Sequence, residues 1–308
     1  MNLKTQIYKP PFPWFGGKSK VAHLVWERFG DVPNYVEPFF GSGAVMFMRP
    51  HEPKTETVND KDAFVSNFWR ATQSDSAEVA KYADWPVNEA DLLARHKWLI
   101  EQGKNGFVEK MRTEPHYFDA KIAGWWVWGI CCWIGRGWCK VESQQLPHLG
   151  GGRGINRKLP HLGNQGQGIT EYLESLSVRL RRVRVACGDW TRILGDSVTI
   201  KHGVTGIFLD PPYSADECDN LYSVNTGDIA KEVRRWAIEN GNNPLMRIAL
   251  CGYDTEHEMP DNWSKVFWKR KGGYERQAKN DTKAKQDRFR ETIWFSPHCL
   301  NKKQQSLF

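Results

Sequence analysis

Three short apolar runs in this chain each lead into an aspartate, and a fourth leads into a glycine turn. Val58 and Asn59 precede Asp60, residues 183–186 precede Gly188 and Asp189, and Gly206, Ile207, Phe208 and Leu209 precede Asp210. Tyr35, Val36 and Glu37 run through Pro38, Phe39 and Phe40 into Gly41, Ser42 and Gly43. Short apolar runs bounded by turn residues read as buried strands. Similar runs at 247–251, 266–269 and 292–295 bring the expected strands to about seven. Helical patterns lie between them. Ser19 is expected to cap a helix that buries Val21, Leu24, Val25 and Phe29 and closes at Gly30; another helix is expected from Ala44. Strands alternating with helices imply an α/β fold with a doubly wound, mostly parallel, Rossmann-like sheet. Ligands bind such sheets beyond the carboxyl ends of the strands. The glycine turn, Asp60, Asp189 and Asp210 are therefore expected to face one crevice.

Residues 67–180 break this rhythm. They hold a helical pattern opened by Asn88 and closed at Gly103, a tryptophan-rich block and a glycine-rich basic block. This stretch is expected to form an inserted, mainly helical subdomain, with 1–66 and 181–308 building the sheet. A near-repeat at 146–150 and 159–163 is expected to supply the two arms of a hairpin.

The most informative chemistry sits at Asp210, Pro211, Pro212 and Tyr213. Each proline fixes its own φ and holds the preceding residue extended. The result is a stiff turn presenting a carboxylate, free backbone carbonyls and an aromatic face. An exocyclic amine on a flat base needs that set of groups. Alone, the same four residues also read as a structural turn with a capping aspartate.

The glycine turn is shorter than a dinucleotide fingerprint, and the chain has no phosphate-binding loop of the GxxxxGK[ST] type. Asp60 suits hydrogen bonds to ribose hydroxyls. Asp189 suits an adenine amine, with Trp190 over the ring. Each element also has a plainer reading, as a tight turn or a helix N-cap. In this order they suit a nucleoside without phosphates, of which S-adenosylmethionine is the common case.

A net charge of +7 and a pI near 9.0 favour a polyanionic partner. Arg153, Arg157 and Lys158 lie among glycines, and Lys271 and Arg276 belong to a second basic stretch at 269–290. Such loops suit phosphate contacts, which position DNA without reading sequence; a solvated surface loop is the alternative. The tryptophan block reads as the core of a small subdomain. Trp138, following Arg136 between two glycines, is the member most suited to DNA. The seven cysteines lack paired CxxC spacing, so reduced thiols and no metal are expected. The start lacks a secretory apolar region, and the stretch 125–134 is too short to span a bilayer. A cytoplasmic protein with no membrane partner is expected, as a monomer or weak dimer.

The sequence resembles the Dam-type (D12 class, α-group) DNA adenine-N6 methyltransferases. The matching residues are Pro13, Trp14, Phe15, Gly16, Gly17 and Lys18; then 35–43; then Asn59 and Asp60; then 210–213. The resemblance implies a methyltransferase sheet in which Trp14, Lys18, Asp60 and Asp210 contact S-adenosylmethionine and Phe39, Gly41 and Gly43 shape its pocket. Gly17 and Glu37 fall in the same motifs and join the expected cofactor set with Asp189 and Trp190. It also implies that Asp210 to Tyr213 hold the target base of double-stranded DNA. On that mechanism Asp210 and the Pro211 carbonyl accept the adenine amine hydrogens, and Tyr213 stacks on the flipped base. The insertion matches the family's target-recognition region in position only, and the chain looks more like the Mu-like prophage members of low sequence specificity. Cytosine-N4 methylation, RNA adenine methylation and a non-catalytic binding role stay open. The recognition site and the biological setting, whether restriction-modification, anti-restriction or regulation, stay open too.

Overall fold

The computed structural model describes residues 7–14, 16–133, 137–139, 168–212, 227–254, 256–268 and 291–301. Seven strands form one sheet: β1 Asn34–Glu37, β2 Thr55–Asp60, β3 Val183–Cys187, β4 Thr205–Leu209, β5 Met246–Tyr253, β6 Ser264–Phe267 and β7 Glu291–Phe295. Their order across the sheet is β3-β2-β1-β4-β5-β7-β6. β1 to β5 pair in parallel, whereas β7 runs antiparallel to both β5 and β6. The apolar runs expected to be strands are these strands. β1 and β4 are buried along their whole length, as parallel strands covered on both faces should be.

Both faces are covered. On one, α1 (Ala22–Phe29), α2 (Ala63–Ser74), α3 (Ser76–Ala83), α6 (Ala120–Cys132) and α7 (Ile169–Leu180) share a single apolar core with Tyr35, Val58, Phe208, Ala249 and Phe295. On the other, α8 (Gly227–Asn240) places Val233 and Ala237 against Val36, Ile207, Leu209, Ile248 and Leu250. Between α3 and α6 the chain forms α4 (Glu89–Gln102) and α5 (Val108–Thr113). A small separate cluster gathers Leu92, Trp128, Cys132 and Trp133. Residue 67 thus lies inside α2, and α7 packs in the same core as the sheet. The 67–180 stretch leans on the sheet through α2 and α7 and departs from it around α4.

Local structure differs from expectation at three points. Ser19 does not cap α1, which has no side-chain cap. The Lys18 carbonyl instead accepts from the N–H groups of Val21 and Ala22 at 3.0 Å each, so Lys18 sits in the turn that starts the helix. The helix expected from Ala44 is only a 3-10 turn, Met46–Met48. Pro50 holds Arg49 extended (φ −57°, ψ 121°) and stops it. Asn88 does cap α4, accepting from Asp91 N at 2.8 Å, but Gly103 stays right-handed and a π-type turn leads on to α5. The near-repeat at 146–150 and 159–163 lies outside the described residues. Among those described, no helix is long and apolar enough to cross a membrane, and no three His, Cys, Asp or Glu side chains gather as metal ligands.

Candidate active site

β1 lies between β2 and β4, because the chain builds outward to β3 and then crosses back. This reversal is the switch point of a doubly wound sheet, where neighbouring loops diverge and leave a crevice. The loops after β1 and β4 leave from adjacent parallel ends there, with the loops after β2 and β3 beside them.

The glycine turn after β1 is tightly held. Phe40 N donates to Asn59 O at 2.9 Å and Gly43 N to Phe40 O at 2.8 Å. Gly41 is left-handed (φ +47°); its N–H donates to Asp60 Oδ2 at 2.9 Å, and its carbonyl accepts from Trp69 Nε1 at 2.9 Å. The Trp14 indole lies so close that a Cβ on Gly41 would stand 2.4 Å from Trp14 Nε1. Only glycine meets both conditions. Asp60 also accepts from Asp62 N at 2.9 Å through Oδ1. Burial first, then the Asp62 carboxylate, raise the Asp60 carboxyl to about 7 despite its backbone donors. Asn59 joins two loops, its Nδ2 donating to Pro38 O at 3.0 Å and Gly188 O at 3.1 Å.

After β3, the Asp189 carboxylate caps a short 3-10 helix, Trp190–Ile193, with Oδ1 accepting from Thr191 N at 3.1 Å and Thr191 Oγ1 at 2.5 Å. The Thr191 hydroxyl bond leads in holding the Asp189 carboxyl below the ordinary range. The plainer N-cap reading of Asp189 is therefore seen in the fold. Trp190 is buried and stacks on Phe39, ring centroids 6.2 Å apart at 26°. Loops from two strands thus meet through an aromatic pair.

At the end of β4, Asp210 is partly exposed, Pro211 is buried and Pro212 half-buried. Lys18 is 3% exposed, with its ammonium 2.8 Å from Asp210 Oδ1 and donating to Gly16 O at 2.9 Å. Gly17 N closes the preceding turn onto Trp14 O at 3.1 Å. Burial pulls the Lys18 ammonium down, but the charges of Asp210, Cys251 and Glu291 and the Asp210 hydrogen bond leave it above its ordinary value. Glu37, at the end of β1, is buried and accepts from Tyr35 Oη at 2.8 Å. Burial drives its carboxyl well above the usual range; the Tyr35 bond opposes this, and nearby Asp210 adds to it.

The structure thus brings Trp14, Gly17, Lys18, Glu37, Phe39, Gly41, Gly43, Asp60, Asp189, Trp190 and Asp210 to one end of the sheet. Trp138 does not join them. Its Nε1 donates to Trp126 O at 3.1 Å, and its ring lies 5.2 Å from Trp133 and 5.3 Å from His96. Tyr213, Arg136, Arg153, Arg157, Lys158, Lys271 and Arg276 lie outside the described residues. Two contributors escaped the sequence reading: Trp69, which holds the glycine turn, and Trp268, whose ring lies 5.8 Å from Lys18 Nζ; the charges of Cys251 and Glu291 also raise the Lys18 ammonium. Glu291 had one weak signal, an acid directly before an apolar run.

The strand-end groups fit a nucleoside. The backbone turn is narrow, Asp60 and Asp189 would repel a polyphosphate, and the half-buried Phe39 ring lies on the buried Trp190 indole. Residues 14–120 match the D12 class N6 adenine-specific DNA methyltransferase family, a stretch that includes Trp14, Lys18, the glycine turn and Asp60. The chain is also similar to the Type II methyltransferase M.MjaIII of Methanocaldococcus jannaschii, at 24% identity over 221 residues, 67% of this chain and 69% of that protein. These two similarities support DNA methylation, and the seven-stranded, mostly parallel sheet is consistent with a Rossmann-like methyltransferase fold.

Proposed function

We propose that this protein methylates the N6 amine of adenine in double-stranded DNA, using S-adenosylmethionine. The observation that carries the reading is Asp210: a carboxylate leaving β4 at the switch point, followed by two prolines and held at 2.8 Å by buried Lys18. Bound in the crevice, S-adenosylmethionine would supply an electrophilic methyl group. Asp60 would accept from its ribose hydroxyls, while Phe39 and Trp190 cover the adenine and Asp189 takes its amine. Trp14, Gly17, Gly41, Gly43 and Glu37 shape the remaining wall.

Adenine N6 is a weak nucleophile because its lone pair is delocalised into the ring. Asp210 and the Pro211 carbonyl would accept its two hydrogens and draw the nitrogen toward tetrahedral geometry, localising the pair. A charged acceptor and a fixed position supply the catalysis. The base must leave the duplex, and Tyr213 stacks on it. In this reading 1–66 and 181–308 are the catalytic unit. The 67–180 stretch, with Arg136, Arg153, Arg157 and Lys158, and the 269–290 stretch, with Lys271 and Arg276, serve DNA binding of relaxed specificity, as in the Mu-like prophage enzymes.

The test is incubation with unmethylated duplex DNA and S-adenosylmethionine, digestion to nucleosides and mass spectrometry, with Asp210→Ala alongside. N6-methyladenine from the intact protein only is the expected result. N4-methylcytosine, product on RNA only, or activity retained by Asp210→Ala would each overturn the assignment.

A further inference from the structure

We infer that Asn59 is a positioning residue for the nucleoside half of the cofactor: its side chain sets the distance between the loop that carries Phe39 and the loop that carries Asp189 and Trp190. The inference rests on the function proposed above. β2 lies between β3 and β1, so the loops after β1 and β3 leave on either side of it. The paired residues of those two strands end at Glu37 and Cys187, and beyond them the backbone must find other partners. Two are main-chain groups of β2: Phe40 N donates to Asn59 O at 2.9 Å, and Gly188 N to Asp60 O at 3.3 Å. The Asn59 side chain supplies a tie across both loops. Its Nδ2 donates to Pro38 O at 3.0 Å and to Gly188 O at 3.1 Å. A primary amide nitrogen carries two hydrogens, so each loop takes one. Both partners are carbonyls, so the nitrogen and not the oxygen must face them.

Asn59 is 1% exposed, and its Oδ1 has no hydrogen-bond partner among the described residues. A buried acceptor left unmade is destabilising, and an apolar side chain of similar shape would avoid it. What the amide adds is placement. Pro38 directly precedes Phe39, and Gly188 directly precedes Asp189. Phe39 and Trp190 then meet across the same gap, ring centroids 6.2 Å apart at 26°. One amide thus holds together the ring wall and the carboxylate that the proposed site offers to an adenine. Asn59 touches no reacting atom in this scheme; it acts through Pro38 and Gly188.

Asn59→Leu keeps the branching at Cγ and removes both donors. Calorimetry with S-adenosylhomocysteine, the demethylated cofactor, is expected to show roughly tenfold weaker binding, with KM for S-adenosylmethionine rising in step. kcat at saturating cofactor and KM for DNA are expected to change by less than about twofold. A merely structural role gives the opposite pattern: a smaller folded fraction lowers kcat and leaves the affinity of the remaining protein unchanged. Asn59→Ser keeps one donor for one loop, is expected to show a smaller loss of the same kind, and decides the matter if the leucine variant does not fold. Phe39→Ala tests the route: in that background Asn59→Leu should weaken binding by a factor about threefold smaller than in the wild type. Wild-type affinity in the Asn59 variants, lowered kcat with unchanged affinity, or losses that simply multiply with Phe39→Ala would each overturn the inference. A wild type that binds S-adenosylhomocysteine but makes no N6-methyladenine overturns the proposed reaction instead, and the binding series still decides the role of Asn59. A wild type that binds none overturns both.

Discussion

The Gly41 N–H donates to Asp60 Oδ2 at 2.9 Å, tying the turn after β1 to the carboxylate that ends β2. A group that holds the turn and is also offered to a ribose must stay ionised to do both well. Burial raises its carboxyl to about 7 from an unfolded value near 3.8. Between those values the unfolded chain has lost the proton and the folded chain keeps it, so this group's contribution to stability falls as pH rises from about 4 to 7. Ligand affinity should move the opposite way, because hydroxyls donate to the carboxylate and not to the acid. S-adenosylmethionine binding measured by calorimetry is therefore expected to tighten from pH 6 to 8. Asp60→Asn should flatten both dependences. A pH-independent affinity in the wild type would remove Asp60 from the ribose site.

Gly41→Ala should fail for two separable reasons. The left-handed backbone disfavours alanine, and the new methyl would meet the Trp14 indole at 2.4 Å. Strain of this kind costs roughly 1–3 kcal/mol, and moving Trp14 should also spoil the cofactor wall. Gly195 has nothing within 4 Å of its would-be Cβ, so Gly195→Ala is the matched control and should melt like the wild type. Equal melting temperatures for the two variants would show that the turn has slack.

Trp138 is expected to behave as a packing residue. A Cβ on Gly129 would stand 1.8 Å from its ring, so the indole fills the groove that glycine leaves on α6. Trp138 is only half-buried, so Trp138→Ala should cost less than the ~3–5 kcal/mol of a fully buried tryptophan but still bring a clear loss. Urea denaturation measures it. A stable variant with weakened DNA affinity would instead return Trp138 to the DNA interface.

The sheet was legible because each strand is a short apolar run, and parallel strands buried on both faces must be such runs. The position of the crevice was legible for the same reason, since strand ends and turn residues are local features. Side-chain partnerships were not. Asp189 is an N-cap because Thr191 happens to face it, and α1 starts without Ser19 because a backbone carbonyl does the work. The helix after Gly43 is cut short by Pro50, a signal that was present but outweighed by apolar spacing. Trp69 and Trp268 reach the site from segments far apart in the chain, and only the folded sheet brings them to Gly41 and Lys18.

The same logic separates two ion pairs that look alike on paper. Glu56 is 2% exposed and receives Arg179 at 2.6 and 2.9 Å, a bidentate pair, with Arg49 at 3.3 Å. Arg49 is 1% exposed, donates to Val32 O at 2.5 Å and also lies 3.7 Å from Asp31 Oδ1, so the guanidinium that loses its carboxylate when Glu56 goes is that of Arg179, 8% exposed. Breaking a buried pair by removing one partner leaves an uncompensated charge, typically 3–5 kcal/mol. Glu56→Gln should therefore destabilise the protein strongly, with an unchanged urea m-value showing that the unfolding itself stays two-state. Glu78 and Lys81 also meet at 3.0 Å, but with 38% and 67% of their side chains exposed. Water and salt screen that pair, so Glu78→Gln should leave the denaturation midpoint almost where it was. If Glu56→Gln proved equally silent, the β2 to α7 contact would have to be held by apolar packing alone.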